Sequence, residues 1–297
     1  PIRITFLGGG TDYPEYFNKH KGLTLGMSIN KYSTIIVNKI SPISKYKFEI
    51  NYSKNEKTNS ISQINHPSVR ETLNYFNIMK GLQIHYIGDV SAQTGLGSSS
   101  SFTVGLVNAI NNYLGNKIDK ILIAKQAIHI EQKLIKERVG CQDQITCSVG
   151  GFLKIKYARD NYDISNLKLN KNEVVEFSKN LFLIFTGQKR FAHEVLKEQI
   201  EKTNSGKIDS YLKRMKLLVK EAELSLENKK NYEDFGLILN EGWNLKKNFS
   251  STITNDHIDM IYENGIRNGA IGGKLLGAGG GGFILFFVPS NKINHFR

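Results

Sequence analysis

Seven residues, Gly95-Leu96-Gly97-Ser98-Ser99-Ser100-Ser101, stand between a segment that reads as a β-strand, Leu82–Asp89, and one that reads as a helix, Ser99–Leu114. Glycine lets the backbone take positive φ and approach a ligand closely. The N–H groups that open a helix have no partner within it, and with the helix dipole they favour an anion. Serine hydroxyls add donors and can reach a hard cation. These properties describe a phosphate cradle. A Walker A loop needs Gly-x-x-x-x-Gly-Lys-Ser/Thr, and no lysine follows these glycines. On the loop alone, a phosphate site and a plain Gly/Ser turn capping a helix stay equally open.

The rest of the chain supports such a site on a folded scaffold. Its 297 residues are 40% hydrophobic and 23% charged, enough for a sizeable core and too few charges for disorder. No run of about 20 apolar residues is present, so no membrane partner is expected. The opening segment alternates like a strand rather than a signal peptide. Cys141 and Cys147 are too few for a disulfide framework and read as reduced thiols, which fits a cytoplasmic protein. The net charge of +13 is spread over lysines along the whole chain, with no basic block and no nucleic-acid-binding motif, so nucleic acid is not an expected partner.

Periodicity gives mixed elements. Strands are expected at Ile2–Leu7, as a pair within Leu23–Ile40, and at Phe48–Tyr52, Leu82–Asp89, Phe152–Tyr157, Asn180–Thr186 and Phe283–Val288. Helices are expected at Pro67–Lys80, Ser99–Leu114, Ile118–Val139, Gln142–Ser148, Ile208–Glu227 and Asn255–Asn268. The elements do not alternate strictly as βαβ, which argues for an α+β fold. Polar residues 158–179 read as a domain junction, dividing the chain into 1–175 and 176–297.

Thr94–Ser101 resembles the ATP-binding motif of the GHMP superfamily (galactokinase, homoserine kinase, mevalonate kinase, phosphomevalonate kinase), G-L-G-S-S-A-A, with Ser100 and Ser101 in place of the alanines. Arg3-Ile4-Thr5-Phe6-Leu7-Gly8-Gly9-Gly10-Thr11-Asp12-Tyr13 is similar to the family's first motif. Gly272-Gly273-Lys274-Leu275-Leu276-Gly277-Ala278-Gly279-Gly280-Gly281-Gly282 is similar to its third. The resemblance implies a two-domain α+β GHMP kinase fold. Its N-terminal domain is like the second domain of ribosomal protein S5, its C-terminal domain is ferredoxin-like, and the active site lies between them. It also implies a kinase that moves the γ-phosphoryl group of ATP to a sugar hydroxyl with Mg²⁺. Thr94, Gly95, Leu96, Gly97, Ser98, Ser99, Ser100 and Ser101 would then bind ATP.

Taken alone, Glu131 reads as a solvated helix-surface charge and Asp143 as a residue near a helix start. The resemblance gives them other roles: Glu131 and Ser99 as Mg²⁺ ligands, and Asp143 as the carboxylate facing the substrate hydroxyl, paired with Arg3. Galactokinases carry Glu-His where this chain has Gly9-Gly10. The departure argues against galactose and is expected to open space for a bulkier or differently oriented sugar. Gly8–Pro14, Asn30–Tyr32, Gly140–Gly151 and Thr186–Ala192 resemble the branch that contains D-glycero-D-manno-heptose 7-phosphate kinases and fucokinase-like enzymes. A sugar phosphate is therefore the implied partner, phosphorylated at its anomeric hydroxyl for surface-glycan synthesis. Gly9, Gly10, Thr11, Asp12, Gly277 and Gly279 are the expected substrate contacts, with Lys31, Arg138, Lys189 and Arg190 as candidate cations for its phosphate. A kinase for another sugar such as fucose, and a non-catalytic GHMP-like binding protein, are the alternatives. A homodimer is an allowed assembly.

Overall fold

The computed structural model describes residues 1–159, 161–189, 193–227 and 232–297. In chain order its elements are β1 Arg3–Leu7, α1 Pro14–His20, β2 Gly22–Ser28, β3 Ser33–Lys39, β4 Phe48–Asn51, β5 Asn55–Thr58, α2 Pro67–Tyr75, β6 Leu82–Gly88, α3 Ser98–Tyr113, α4 Lys120–His129, α5 Gln142–Val149, β7 Phe152–Ala158, β8 Asn161–Asn166, α6 Lys171–Ser178, β9 Leu181–Phe185, α7 His193–Asn204, α8 Asp209–Glu227, α9 Tyr232–Lys246, α10 Asp256–Arg267, β10 Gly272–Leu275, β11 Phe283–Phe287 and α11 Ile293–Phe296. They form two compact units, each discontinuous in sequence: 1–3, 28–92 and 97–150 in the first, 4–27, 93–96 and 151–297 in the second.

The first unit carries the sheet β3-β6-β4-β5, in which β4 pairs β6 in parallel and the other pairs are antiparallel. α3 is its central helix because it is apolar on two faces. Phe102, Leu106 and Ile110, one turn apart, pack with Ile84, Leu82, Phe48 and Leu73. Val104 and Val107 pack with Ile123, Ala127, Ile130 and Cys147. A helix apolar on both faces is held from both sides, which gives its N-terminus a rigid seat.

The second unit holds two sheets, β1-β2-β7-β8 and β10-β11-β9. The aromatics that build its core come from β1, β7, α6, α9 and β11. Phe177 stacks edge-on against Phe6 and Phe235, and Phe287 and Phe152 close the cluster. Trp243 on α9 is fully buried.

Three local expectations change. β2 and β3 are not a pair, since β2 pairs β7 and β3 pairs β6. Their adjacency in sequence carries no information about the long-range partner of each. The helix expected over Ile118–Val139 stops at His129 and continues as one π turn, Ile130–Leu134. Residues 158–179, read as a junction, contain β8 and α6; β8 is antiparallel to β7, and its polar residues occupy an outer strand.

Candidate active site

Arg3 opens β1 and is almost wholly buried, and its guanidinium is paired bidentately: Nε donates to Asp143 Oδ1 at 2.7 Å and an Nη donates to Oδ2 at 2.5 Å. A planar fork meeting both carboxylate oxygens sets the Asp143 rotamer as well as its charge partner. Asp143 lies in the first turn of α5, and about a quarter of its side chain stays exposed, so the carboxylate is held from one side and open on another.

Gly97 is the N-cap of α3, with φ 72°, and no side chain caps the helix. The first-turn N–H groups of a 16-residue helix are thus left for a ligand. A Cβ on Gly97 would lie 3.1–3.2 Å from Cγ, Nε and Cζ of Arg3. Glycine at this position therefore admits both the left-handed turn and the arginine.

Glu131 is 1% exposed, which overturns its reading as a solvated charge. The π turn carries it, and π turns recur at functional positions because they re-aim side chains that an α-helix would present elsewhere. Its Oε2 accepts from Ser100 Oγ at 3.0 Å and from Gln144 Nε2, while Oε1 is buried without a partner. Burial pushes the Glu131 carboxyl up to about 7, against the hydrogen bonds from Gln144 and Ser100 that favour the charged form.

The serines diverge. Ser100 meets Glu131, whereas Ser99, the serine expected to share Mg²⁺ with Glu131, is exposed and offers its carbonyl to Thr103 Oγ1. Ser98 is buried, and Ser101 Oγ donates to the Pro1 carbonyl at 3.1 Å.

A Mg²⁺ ion would suit this chemistry. It takes hard oxygen donors and one or two carboxylates, and here a carboxylate with a spare oxygen and an exposed serine hydroxyl come from neighbouring elements. Among the described residues, no group of three or more His, Cys, Asp and Glu could cage a metal by itself.

In the second unit, residues 94–96 pack backbone against backbone. A Cβ on Gly95 would stand 2.6 Å from the Leu276 carbonyl oxygen, and one on Gly277 would stand 2.6 Å from Gly95 Cα. Phe283 N donates to the Thr94 carbonyl at 3.1 Å. Lys246 Nζ donates to the carbonyls of Leu275 and Gly277. Gly279 is buried against Ile253. Gly277 and Gly279, expected at the substrate, thus have packing duties of their own.

The loop after β1 is equally committed. Thr11 is fully buried; its hydroxyl is shared between the carbonyls of Gly8 and Leu23 and accepts from Leu23 N, tying the loop to β2. Asp12 Oδ1 accepts from Gly10 N at 3.1 Å. A Cβ on Gly10 would come within 3.0 Å of Leu212 and Phe249 and 3.4 Å of Gln199 Nε2, so this glycine is needed for packing and does not open room for a sugar. Gly9 is half-buried. Lys31, Arg138 and Lys189 are exposed, and Arg190 lies outside the described residues.

One participant escaped the sequence reading, Gln144; Ser100 was expected at ATP and is found bonded to Glu131. Gln144 follows Asp143 directly, but a glutamine in a short helix gives no sign that it will be buried against a carboxylate.

Comparison with known proteins bears on the same residues. Residues 64–151 match the model of the GHMP kinases N-terminal domain, and residues 218–295 match that of the GHMP kinases C-terminal domain. The chain is 30% identical to the D-glycero-alpha-D-manno-heptose 7-phosphate kinase of Campylobacter jejuni, over 99% of this chain and 90% of that protein. It is 25% identical to the bifunctional fucokinase/GDP-fucose pyrophosphorylase of Arabidopsis thaliana, over 97% of this chain and 29% of that protein. The crystal structure of a D-glycero-D-manno-heptose 1-phosphate kinase from Bacteroides thetaiotaomicron superposes with a TM-score of 0.79 at 23% identity, covering 100% of this chain and 89% of that one.

Proposed function

We propose a specific reaction for this chain, which belongs to the GHMP kinase family and is an ATP-dependent sugar kinase: transfer of the γ-phosphoryl group to the anomeric hydroxyl of D-glycero-D-manno-heptose 7-phosphate. The single observation that supports this substrate is the likeness to a heptose 7-phosphate kinase along nearly the whole of both chains.

The chemistry asks little covalent help of the protein, because phosphoryl transfer depends on positioning and charge stabilisation. The uncapped start of α3 receives the phosphates of ATP on its free N–H groups. Asp143 accepts a hydrogen bond from the sugar hydroxyl and orients it, held in register by Arg3. Glu131 and Ser99 would hold Mg²⁺. When bound, that ion neutralises charge on the β- and γ-phosphates. Asp12 accepts from sugar hydroxyls, and Lys189 with Arg190 binds the distal phosphate. The enzyme works in the cytoplasm, where ATP is supplied, and its bisphosphate product feeds nucleotide-activated heptose for surface glycans.

The test pairs heptose 7-phosphate with the unphosphorylated heptose and with fucose, and locates the new phosphate by ³¹P NMR. The expected result is a kcat/KM at least about tenfold higher for the 7-phosphate, since one charge-assisted contact contributes roughly 1.5–3 kcal/mol. Arg190→Ala should raise KM for the sugar phosphate by about 10- to 100-fold and leave that for ATP unchanged. Equal use of the phosphorylated and free sugars would overturn the assignment. Preference for fucose would move the chain toward the fucokinase it also resembles.

A further inference from the structure

Gln144 follows Asp143 on α5, is fully buried, and has no part in the reaction described above. Its amide nitrogen donates twice, to Ser100 Oγ at 3.2 Å and to Glu131 Oε2 at 2.5 Å. Its amide oxygen is buried with no partner, as is the other oxygen of Glu131. An orphaned buried carbonyl is costly, so the amide is oriented by what its nitrogen does. Turning the amide over would set its oxygen against a carboxylate oxygen and strand two hydrogens as well. The arrangement is therefore one-directional: Gln144 grips Oε2 together with Ser100 and leaves Oε1 as the oxygen of Glu131 that remains to be offered.

We infer that Gln144 is a positioning residue for the metal carboxylate, fixing Glu131 through Oε2 so that Oε1 faces the cation. This rests on the proposed role of Glu131. It also explains why Asp143 and Gln144 are neighbours. Successive helix residues point about 100° apart, so one short helix addresses two groups at once. Asp143 reaches Arg3 and the acceptor hydroxyl, and Gln144 reaches Glu131 and the first turn of α3. Any movement of α5 then shifts both together.

The test replaces the donor without changing the volume, in Gln144→Met, and withdraws it by one methylene, in Gln144→Asn. Mn²⁺ binding is measured by electron paramagnetic resonance in the presence of a non-hydrolysable ATP analogue. The Mg²⁺ concentration for half-maximal turnover and the KM for sugar are measured in parallel. Removing the partner that orients a metal ligand costs about 10- to 100-fold in metal affinity, and that loss is expected for both variants. The KM for sugar should stay within about twofold, a split that a merely structural role would not produce. Glu131→Gln is the reference. If it weakens Mn²⁺ binding while a folded Gln144 variant keeps wild-type affinity, the inference is overturned and the metal role of Glu131 stands. If Glu131→Gln also binds as wild type, the metal assignment itself is wrong and the inference falls with it. Should Gln144→Met fail to fold, Gln144→Asn decides. Loss of thermal stability alone, with metal affinity intact, overturns the inference too.

Discussion

The Gly/Ser loop is held by two different kinds of interaction along its length. Residues 94–96 are fixed in the second unit by backbone against backbone, with Gly95 and Gly277 in such close approach that neither tolerates a Cβ. Residues 97–101 open α3 in the first unit, where side chains do the holding: Ser100 and Gln144 on Glu131, Arg3 on Asp143. Residues 94–96 themselves carry no ionisable side chain. The side-chain half includes a buried acid whose proton affinity is raised. Shape is therefore set where the loop needs only room, and charge is set where it needs chemistry.

The sharpest way to break this contrast is Asp143→Asn, which keeps shape and removes charge. Turnover should fall about 10²- to 10⁴-fold, and the melting temperature should drop as well, because the buried Arg3 guanidinium loses its charge partner. A loss below tenfold in steady-state kcat would reduce Asp143 to a steric guide.

Gly95→Ala attacks the other half. The new Cβ meets a carbonyl oxygen, at a φ of +84° that L-residues rarely adopt. A stability loss of about 3 kcal/mol is expected in chemical denaturation, from strain and overpacking together. An unchanged denaturation midpoint would show that the backbone contact is dispensable.

Glu131 gives the side-chain half a pH signature that the backbone half lacks. Its folded value of about 7 lies above the ordinary carboxylate range. Between roughly pH 4.5 and 7 the folded chain binds more protons at this site than the unfolded chain, so stability falls as pH rises through that window and levels off above it. The full difference is on the order of 3 kcal/mol. Glu131→Gln removes the titration, so its stability between pH 5 and 8 should lack this decline. If wild type and variant lose stability in parallel, the acid is not titrating there.

The smallest effects separate the two serines. Ser99→Ala should shift stability by no more than about 0.5 kcal/mol, because the side chain is exposed, and should still weaken Mg²⁺ activation. Ser100→Ala leaves Glu131 short of a donor and should cost about 1 kcal/mol or more in thermal denaturation. Reversal of that order would mean that the hydroxyl on Glu131 is not the structural one.

Much of the fold was legible because it depends on local pattern. The alternating residues of β3 and the apolar stripes of α3 announce their elements, and the glycine runs at both ends and in the middle carry the family resemblance. Less legible were the sheet partners of β2 and β3, the π turn under Glu131, and the strand and helix within residues 158–179. Thr11 looked like a substrate contact because its type and motif permit one. Its hydroxyl is absorbed by the carbonyls of Gly8 and Leu23, a duty no motif records.

By itself the sequence determined the α+β class, the kinase family, the places where the backbone must be bare, and Arg3, Glu131 and Asp143 as residues of interest. These follow from requirements that glycine, serine and short spacings express locally. Only the tertiary structure decided that Ser100 rather than Ser99 meets Glu131, that Glu131 is buried, and that Gln144 stands behind it. Those partnerships join residues 31 and 13 positions apart. The physical reason is that desolvation and hydrogen-bond direction depend on what the folded chain brings alongside a side chain, and no local spacing encodes that.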